Sequence, residues 1–360
     1  MPKRFRRIAS SSRIASKTKT RHVRFTLVLL AFLAWGATFE FSIRPFIAVP
    51  SIAFAAEGGR TDGPHRLVSL NPSLTAIVLR LGAGEALVGI DDYSARLLPE
   101  LAHLPSVGGL FDPGLESIVS LHPDRVLLVA GVDQQTHADR LEKLGLEVEI
   151  YRNERLDEVL ENIERLGKLL GRENAARERI RAILEMREAV VLTTKRRPKP
   201  DTVAIVDRSP LYLVGGSTFL DELLDSVGAR NLGRQLSDGY PRASIEWLIS
   251  SRPSLLLDLT PGATAAADFW SRWPSIPAVD GGRVVDVDPT HISIPGPDLD
   301  RALQELAVAV HGEGIEAEIA RALAKRRANR DLEGSPPTSL EPVDAAGFGH
   351  GGKEPVRRMR

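Results

Sequence analysis

The chain of 360 residues contains no cysteine. This absence excludes disulfide bonds, thiolate zinc sites, iron–sulfur clusters and a cysteine nucleophile. It also excludes a lipid-modified cysteine at the start of a mature chain, so we do not expect a lipoprotein. Tyrosine is scarce as well, with four residues in the whole chain, and the placement of each one is therefore informative.

The sequence also lacks an excess of charge of either sign, because 47 basic residues balance 47 acidic ones. Their distribution is uneven. Residues 1–55 contain ten Lys and Arg against one acid, and residues 56–360 contain 37 basic against 46 acidic groups, a net charge of about −9. An acidic body is a poor candidate for sequence-independent binding of nucleic acid, which depends on neutralising phosphates. We therefore expect no nucleic-acid partner.

No long hydrophobic run of membrane-spanning length occurs near the basic N-terminus. Residues 1–24 contain nine Lys and Arg, Phe25–Phe39 is an apolar run, and small residues recur at 53–56. These are the three parts of a secretory signal, and the apolar run is short compared with the roughly 20 residues of a span. The pattern predicts a signal peptide over 1–55, cleaved near Ala55 or Ala56, and a periplasmic protein. An uncleaved inner-membrane anchor is the alternative.

The mature chain alternates short apolar runs with helical patterns from Arg66 onward, which is typical of βαβ units and a mainly parallel sheet. Residues 172–197 contain no strand signal, and about 20 helical residues extend roughly 30 Å. That length suits a bridge between two lobes, although an ordinary packing helix has the same periodicity. We predict an α/β fold of two Rossmann-like lobes, residues 65–171 and 198–312, bridged by one long helix. The charged segment 313–360 is predicted to be a fraying helix followed by a largely disordered tail.

The two halves repeat one pattern. Glu116 and Glu246 each occupy the first turn of a predicted helix, and a proline follows seven residues later in both halves. A carboxylate in the first turn interacts favourably with the helix dipole, a contribution of roughly 0.3–1 kcal/mol that could account for both residues. Their symmetric recurrence on two lobes favours a second interpretation, in which they form a pair that docks onto a partner.

No catalytic constellation stands out in the sequence. It contains no phosphate-binding loop, no GxSxG elbow and no histidine pair at metal-ligand spacing. We therefore expect a protein that is not an enzyme and that has no catalytic residue, no metal site and no resident cofactor.

Three of the four tyrosines lie in predicted loop or strand-end positions: Tyr93 after the strand Leu87–Ile90, Tyr212 after Pro210, and Tyr240 just before the helix of Glu246. Ligands of open α/β sheets sit beyond the carboxyl ends of strands, and a tyrosine offers a rigid apolar ring with one polar tip. This placement favours a large, partly polar ligand, although each ring could equally cover the edge of a core. His291 lies in a loop after the strand that ends at Val287 and is a further candidate.

Several short motifs occur in one order along residues 65–312. They are LVSLNPSLTAIVLRL at Leu67–Leu81, Gly82-Ala83 with Leu87-Val88-Gly89, LPSVGG at Leu104–Gly109, Leu115-Glu116 through Pro123-Asp124, Phe269-Trp270, Gly282-Arg283-Val284 and Pro295-Gly296-Pro297. In this ensemble the chain resembles the periplasmic substrate-binding proteins of ABC importers for vitamin B12, iron–siderophores and haem. The vitamin B12-binding member is the most similar.

The resemblance implies two lobes joined by a single helix, one ligand in the cleft and little closure of the lobes. It implies a set of pocket residues and a pair of carboxylates that dock onto arginines of the transmembrane subunits. The pocket positions are Tyr93, Leu110 with the adjacent Phe111, Tyr212, Tyr240 and His291, and the docking pair is Glu116 and Glu246. The chain departs from the family pattern at Ala76, often Glu, at Asp298, commonly Arg, and at Leu110, where the family has Trp.

From these observations we expect a monomeric protein that delivers a small-molecule metal chelate to the permease of an ABC importer. The chelate is expected to be a corrinoid, with a ferric siderophore or haem as the alternative. Two functions of other classes remain open: an exported α/β enzyme, and a membrane-anchored sensor ectodomain built on the same lobes.

Overall fold

The computed structural model describes residues 66–109, 112–260 and 264–333. The predicted signal peptide, Leu110, Phe111 and the predicted tail beyond residue 333 lie outside the described residues. Among the described residues, no helix combines the length and the apolar character that crossing a bilayer requires.

The first lobe is a parallel four-stranded sheet in the order β2-β1-β3-β4, with helices between the strands. Ser69 is paired with Ile90 of the neighbouring strand on one side and with Leu127 on the other. The elements are β1 (Leu67–Ser69), α1 (Pro72–Arg80), β2 (Leu87–Ile90), α2 (Asp92–Leu97), α3 (Leu115–Ser120), β3 (Arg125–Val129), α4 (Val132–Lys143), β4 (Glu147–Tyr151) and α5 (Leu156–Leu169).

One long helix, α6 (Glu173–Thr194), leaves the first lobe and enters the second. Its 22 residues extend about 33 Å. Ala176, Ile180 and Ile183 are buried on it, and they belong to an apolar cluster that contains residues of both lobes. The helix is therefore packed on both sides of the bridge, which confirms the predicted single-helix connection.

The second lobe is also α/β, with the strand order β6-β5-β8-β9 and a short strand β7 that pairs with the start of β5. All pairings are parallel except the antiparallel hairpin of β5 and β6. The elements are β5 (Asp201–Arg208), β6 (Leu211–Leu213), α7 (Phe219–Ser226), β7 (Arg230–Asn231), α8 (Ile245–Ser251), β8 (Leu255–Asp258), α9 (Ala266–Trp270), α10 (Pro277–Asp280), β9 (Val284–Asp286), α11 (Pro289–Ile292) and α12 (Leu299–His311).

The strand-to-helix turns explain why the helices begin where they do. Asn71 caps α1 by accepting a hydrogen bond from the backbone N–H of Ser73, and Pro72 occupies the first helical position. Thr218 and Ser244 cap α7 and α8 in the same way. Each cap follows a strand or an extended segment, so the helices start close to the carboxyl ends of the sheets.

A further helix, α13 (Ile315–Glu333), occupies most of the segment 313–335 that is predicted to be a fraying helix. It buries Ile315 and Ile319 and runs antiparallel to α6. Ion pairs join the two helices and the turn after α6: Arg197–Glu318 at 2.6 Å, Arg327–Glu185 at 3.5 Å, Arg326–Glu188 and Arg330–Glu185. The sequence of α13 alone has little apolar periodicity, and its ion-pair partners lie between 121 and 145 residues earlier, so no local pattern identifies them.

Candidate functional site

The first wall of the candidate site is α2, which begins directly after β2. Asp91 caps this helix, accepting hydrogen bonds from the N–H groups of Tyr93 and Ser94 at 2.9 and 3.0 Å. The Tyr93 residue is 45% exposed, and the Arg96 guanidinium lies 4.4 Å from the centre of its ring. Tyr93 thus projects from the carboxyl end of the sheet with a cation on one face of its ring.

The loop before Leu110 and Phe111 is fixed beside that wall. The N–H of Ile90 donates to Pro105 O, Val107 donates back to Ile90 O, and the N–H of Asp92 donates to Gly108 O at 2.9 Å. Gly108 has a φ of +102°, and a Cβ there would lie 2.8 Å from a backbone oxygen, so only glycine fits. Leu110 and Phe111 themselves lie outside the described residues, and their predicted pocket role stays a prediction.

The second wall is a ribbon in which residues 211–216 pair with residues 237–243. The N–H of Leu213 donates to Pro241 O at 3.0 Å, and the N–H of Gly215 donates to Gly239 O at 2.8 Å. This register puts Tyr212 opposite Arg242 and Tyr240 on the same side of the ribbon, because side chains alternate along extended backbone. The structure therefore brings Tyr212 and Tyr240 together, although 27 residues separate them in the sequence.

Tyr240 faces the first lobe. Burial and the negative charge of Glu154 raise the pKa of Tyr240 to about 12, although 45% of the residue is accessible. Glu154 belongs to the loop after β4 in the first lobe. In the same loop, Arg155 pairs with Glu222 of α7 at 3.1 Å and the N–H of Leu156 donates to that carboxylate. The two lobes meet here, beside Tyr240.

A second set of contacts between lobes lies at α1. The Ser73 hydroxyl donates to the carbonyl oxygen of Pro295, and Arg80 forms an ion pair with Asp298. Asp298 stands where the resembled family commonly has Arg, and its charge is matched by an arginine on the opposite lobe. Because Arg80 and Asp298 are 218 residues apart in the sequence, no local pattern identifies Arg80 as the partner of Asp298.

His291 is half-buried on α11, and its Nδ1 lies 2.9 Å from Oε1 of Glu305 on α12. The ring is thus oriented by a carboxylate of its own lobe. Among the described residues, no group of three or more histidine, aspartate and glutamate side chains could hold a metal ion. The cleft loops therefore offer aromatic rings and single polar groups, an arrangement suited to gripping a bulky, partly polar molecule.

Glu116 and Glu246 occupy equivalent places in the two lobes. Each lies in the first turn of its helix, α3 or α8, and each is exposed. Hydrogen bonds from its own backbone N–H and from Ser244 hold the pKa of Glu246 below its usual range. Both residues are therefore exposed carboxylates, a geometry that suits the dipole interpretation and the docking interpretation alike.

Comparison with known families and curated proteins gives a consistent assignment. The profile of the family described as periplasmic binding protein matches residues 67–290. An uncharacterised ABC transporter substrate-binding lipoprotein of Bacillus subtilis, YvrC, is 27% identical over 69% of this chain and 80% of its own length. A cobalamin-binding protein of Halobacterium salinarum is 29% identical over 70% of this chain and 71% of its own length.

Solved structures agree on the fold. The vitamin B12-binding protein BtuF of Vibrio cholerae matches with a TM-score of 0.61 at 20% identity, over 69% of this chain and 96% of that one. A periplasmic haem-binding protein of Pseudomonas aeruginosa matches with a TM-score of 0.59 at 26% identity, over 69% and 93% of the two chains. The two solved structures are described as periplasmic binding proteins, and the Bacillus subtilis relative as a substrate-binding lipoprotein of an ABC transporter.

Proposed function

The chain belongs to the periplasmic binding protein family, and on that premise we propose that it is the ligand-binding and delivery component of an ABC importer. Its cargo is a metal chelate of corrinoid type, which it carries to the transmembrane subunits of the permease. It performs no catalysis, keeps no resident cofactor, acts as a monomer and is exported to the periplasm by its N-terminal signal.

The observation that carries this proposal is the arrangement of three tyrosines on two lobes. Tyr93 stands at the carboxyl end of the first sheet, and the paired Tyr212 and Tyr240 stand on the ribbon of the second. All three are between 36% and 45% exposed, which is unusual for large aromatic residues that serve only a core. Rings of this kind supply large contact areas with little loss of conformational entropy.

We place a corrinoid first among the candidate ligands, supported by the cobalamin-binding relative of Halobacterium salinarum. Haem iron needs an axial ligand from the protein, and a tyrosine serves as a phenolate. Tyr93, Tyr240 and His291 are the side chains available for that ligation, and the bond of Nδ1 to Glu305 leaves Nε2 of His291 free to bind iron. A corrinoid needs no protein ligand to its metal. Haem or a ferric siderophore is the second candidate, supported by the haem-binding relative of known structure.

Delivery requires a surface that the permease recognises, and we assign this role to Glu116 and Glu246. An exposed carboxylate on each lobe suits a two-fold transporter, because each lobe then meets one subunit. Arginines of the permease would form charge-assisted, bidentate pairs with these carboxylates. The net negative charge of the body would add long-range attraction that salt weakens.

Calorimetric titration of the mature chain with cyanocobalamin, a ferric siderophore and haemin tests the ligand proposal. We expect one cyanocobalamin per chain. We compare the affinities of three variants, Tyr93→Phe, Tyr212→Phe and Tyr240→Phe, with that of the control Tyr151→Phe. Tyr151 is a fully buried tyrosine outside the predicted pocket. Failure of all three ligands to bind would contradict the proposal. If haemin binds and the Soret band of the complex shifts in His291→Ala or in a Tyr→Phe variant, the cargo is haem rather than a corrinoid.

N-terminal sequencing of purified protein tests whether the predicted signal peptide is cleaved. An end near Ala56 supports the delivery protein, and an intact Met1 supports a membrane-anchored sensor ectodomain. Hydrolysis or transfer of any bound ligand would instead favour an exported enzyme.

A further inference from the structure

A chain of buried polar side chains lies directly beneath Tyr93. Asp91 is fully buried, and its Oδ1 accepts the N–H groups of Tyr93 and Ser94. Its Oδ2 accepts the hydroxyl of Ser94. An ionised carboxylate only accepts hydrogen bonds, so the proton between Ser94 and Asp91 belongs to Ser94. One carboxylate thus organises the whole first turn of α2.

The chain continues into α1 through Thr75. The Oγ1 of Thr75 lies 2.9 Å from the Oγ of Ser94, 2.8 Å from the Oγ of Ser69 and 3.0 Å from the carbonyl oxygen of Asn71. Because the Ser94 hydroxyl donates to Asp91, a hydrogen bond between the two hydroxyls requires Thr75 to donate, and the single Thr75 proton is then shared among Ser94, Ser69 and the carbonyl oxygen of Asn71. Thr75 is therefore the point at which α2 is tied to α1 and to the end of β1.

The burial of this cluster is costly and needs an explanation. Ser69, Thr75, Asp91 and Ser94 each have no exposed surface, and burial raises the pKa of Asp91. A buried charge is tolerated only when hydrogen bonds compensate it. Apolar side chains of similar size would fill the space without this cost, so packing alone does not account for the cluster.

The cluster acts on a helix that is too short to hold itself. α2 contains six residues, and isolated helices of that length are not stable in water. Without its cap, α2 would fray and Tyr93 would sample many orientations. Cargo binding would then have to order the side chain, which lowers affinity.

From this geometry we infer that Thr75 and Asp91 are positioning residues, which hold α2 so that Tyr93 stands in the cleft before cargo arrives. The inference rests on the proposed role of Tyr93 in cargo binding. It adds a cause for the orientation of that ring, which lies in the buried side chains of Thr75 on α1 and of Asp91 at the start of α2.

A double-mutant cycle with cyanocobalamin as probe tests the inference. Thr75→Val removes the hydroxyl and keeps the shape, Thr75→Ser restores the hydroxyl, and Thr202→Val is the matched control. Thr202 is also fully buried and donates to a backbone carbonyl, but it lies on β5 of the other lobe. We expect Thr75→Val to weaken binding about three- to tenfold, the loss caused by ordering one side chain, while Thr75→Ser and Thr202→Val leave affinity unchanged.

The cycle is completed in a Tyr93→Ala background, where Thr75→Val should have no further effect on affinity. Equal weakening in both backgrounds would overturn the positioning role. If Tyr93→Ala itself leaves affinity unchanged, the proposed pocket fails instead, so the two failures are distinguishable.

Hydrogen exchange gives a readout that needs no ligand. The N–H groups of Tyr93 and Ser94 donate to Asp91, and we expect both to exchange faster in Thr75→Val than in Thr202→Val. If Thr75→Val does not fold, Ser94→Ala breaks the same chain and replaces it in both measurements. Unchanged exchange at these two amides in a folded variant would contradict the inference.

Discussion

The two lobes repeat one α/β plan but hold their cleft tyrosines by different means. In the first lobe, Tyr93 belongs to a six-residue helix that buried side chains fix from below. In the second lobe, Tyr212 and Tyr240 belong to a ribbon that backbone hydrogen bonds hold together. One wall therefore depends on hydroxyl and carboxylate chemistry, and the other depends on how closely two backbone segments approach.

The close approach in the second lobe depends on Gly215. A Cβ at this position would lie 2.3 Å from the carbonyl oxygen of Ser237 and 2.8 Å from that of Gly239. A buried polar group supports the turn from behind, because Asn231 donates to Gly215 O at 3.1 Å and to Asp221 at 2.8 Å. Side chains therefore support the second wall, but the wall can form only because Gly215 has no side chain.

We expect the two lobes to behave alike in docking onto the permease, and substitutions at this docking pair should have the largest effect. Glu116→Arg together with Glu246→Arg should abolish transport and ATPase stimulation in reconstituted vesicles, because each substitution sets a cation against an arginine of the permease. Ligand affinity should stay within a factor of a few. Glu142→Arg, at an exposed position of α4, is the control and should transport normally. Normal uptake by the double variant would contradict the docking role and favour the helix-dipole interpretation of both residues.

Substitution of the three tyrosines tests whether both walls contact the same ligand. Replacing Tyr93, Tyr212 and Tyr240 by Ala should weaken cargo binding by several kcal/mol, since buried aromatic anchors contribute about 2 kcal/mol each. The folded structure should persist, as judged by circular dichroism. Titration calorimetry compares the Tyr93 variant with the Tyr212 and Tyr240 pair. An unchanged affinity in the triple variant would show that the cargo binds elsewhere.

Gly215 sharpens the contrast between backbone and side-chain support. Gly215→Ala should lower the free energy of unfolding by about 3 kcal/mol, because the new methyl group overlaps backbone atoms that cannot rotate away. Gly314→Ala is the matched control, since a Cβ there meets nothing within 4 Å. Urea denaturation measures both. Equal stability of the two variants would contradict the close-packed ribbon.

Two capping aspartates, one in each lobe, should respond to pH with opposite signs, although the effects are small. Burial raises the pKa of Asp91, and hydrogen bonds with Thr290 lower the pKa of Asp288. A raised pKa means that the folded state binds more protons, so the stability of wild type relative to Asp91→Asn should increase as the pH falls toward 4. The stability of wild type relative to Asp288→Asn should instead decrease as the pH falls through the lowered pKa of Asp288. Unfolding free energies between about pH 3 and 7 check both, and slopes of equal sign would be contrary to the assignment.

The sequence predicted the features that depend on local pattern. Alternating strands and helices indicated the α/β lobes, the strand-free stretch after Gly171 indicated α6, and the repeated Glu-to-Pro spacing placed Glu116 and Glu246 on equivalent helices. Tyr93 follows β2 as predicted, because a strand, an aspartate cap and a short helix are adjacent along the chain.

Features that join distant segments were not predictable. The pairing of Tyr212 with the Tyr240 segment requires two glycines to meet a loop more than twenty residues later. Glu154 influences Tyr240 from the other lobe. The basic residues of α13 pair with Glu185 and Glu188 on α6, and no periodicity in α13 itself indicates that helix as its partner.

A crystal structure of the mature chain grown with cyanocobalamin would show directly whether both walls hold one corrinoid. We expect a single corrinoid between the lobes, in contact with Tyr93 on one side and with Tyr212 and Tyr240 on the other. A corrinoid that touches one lobe only, or that lies away from all three rings, would contradict it.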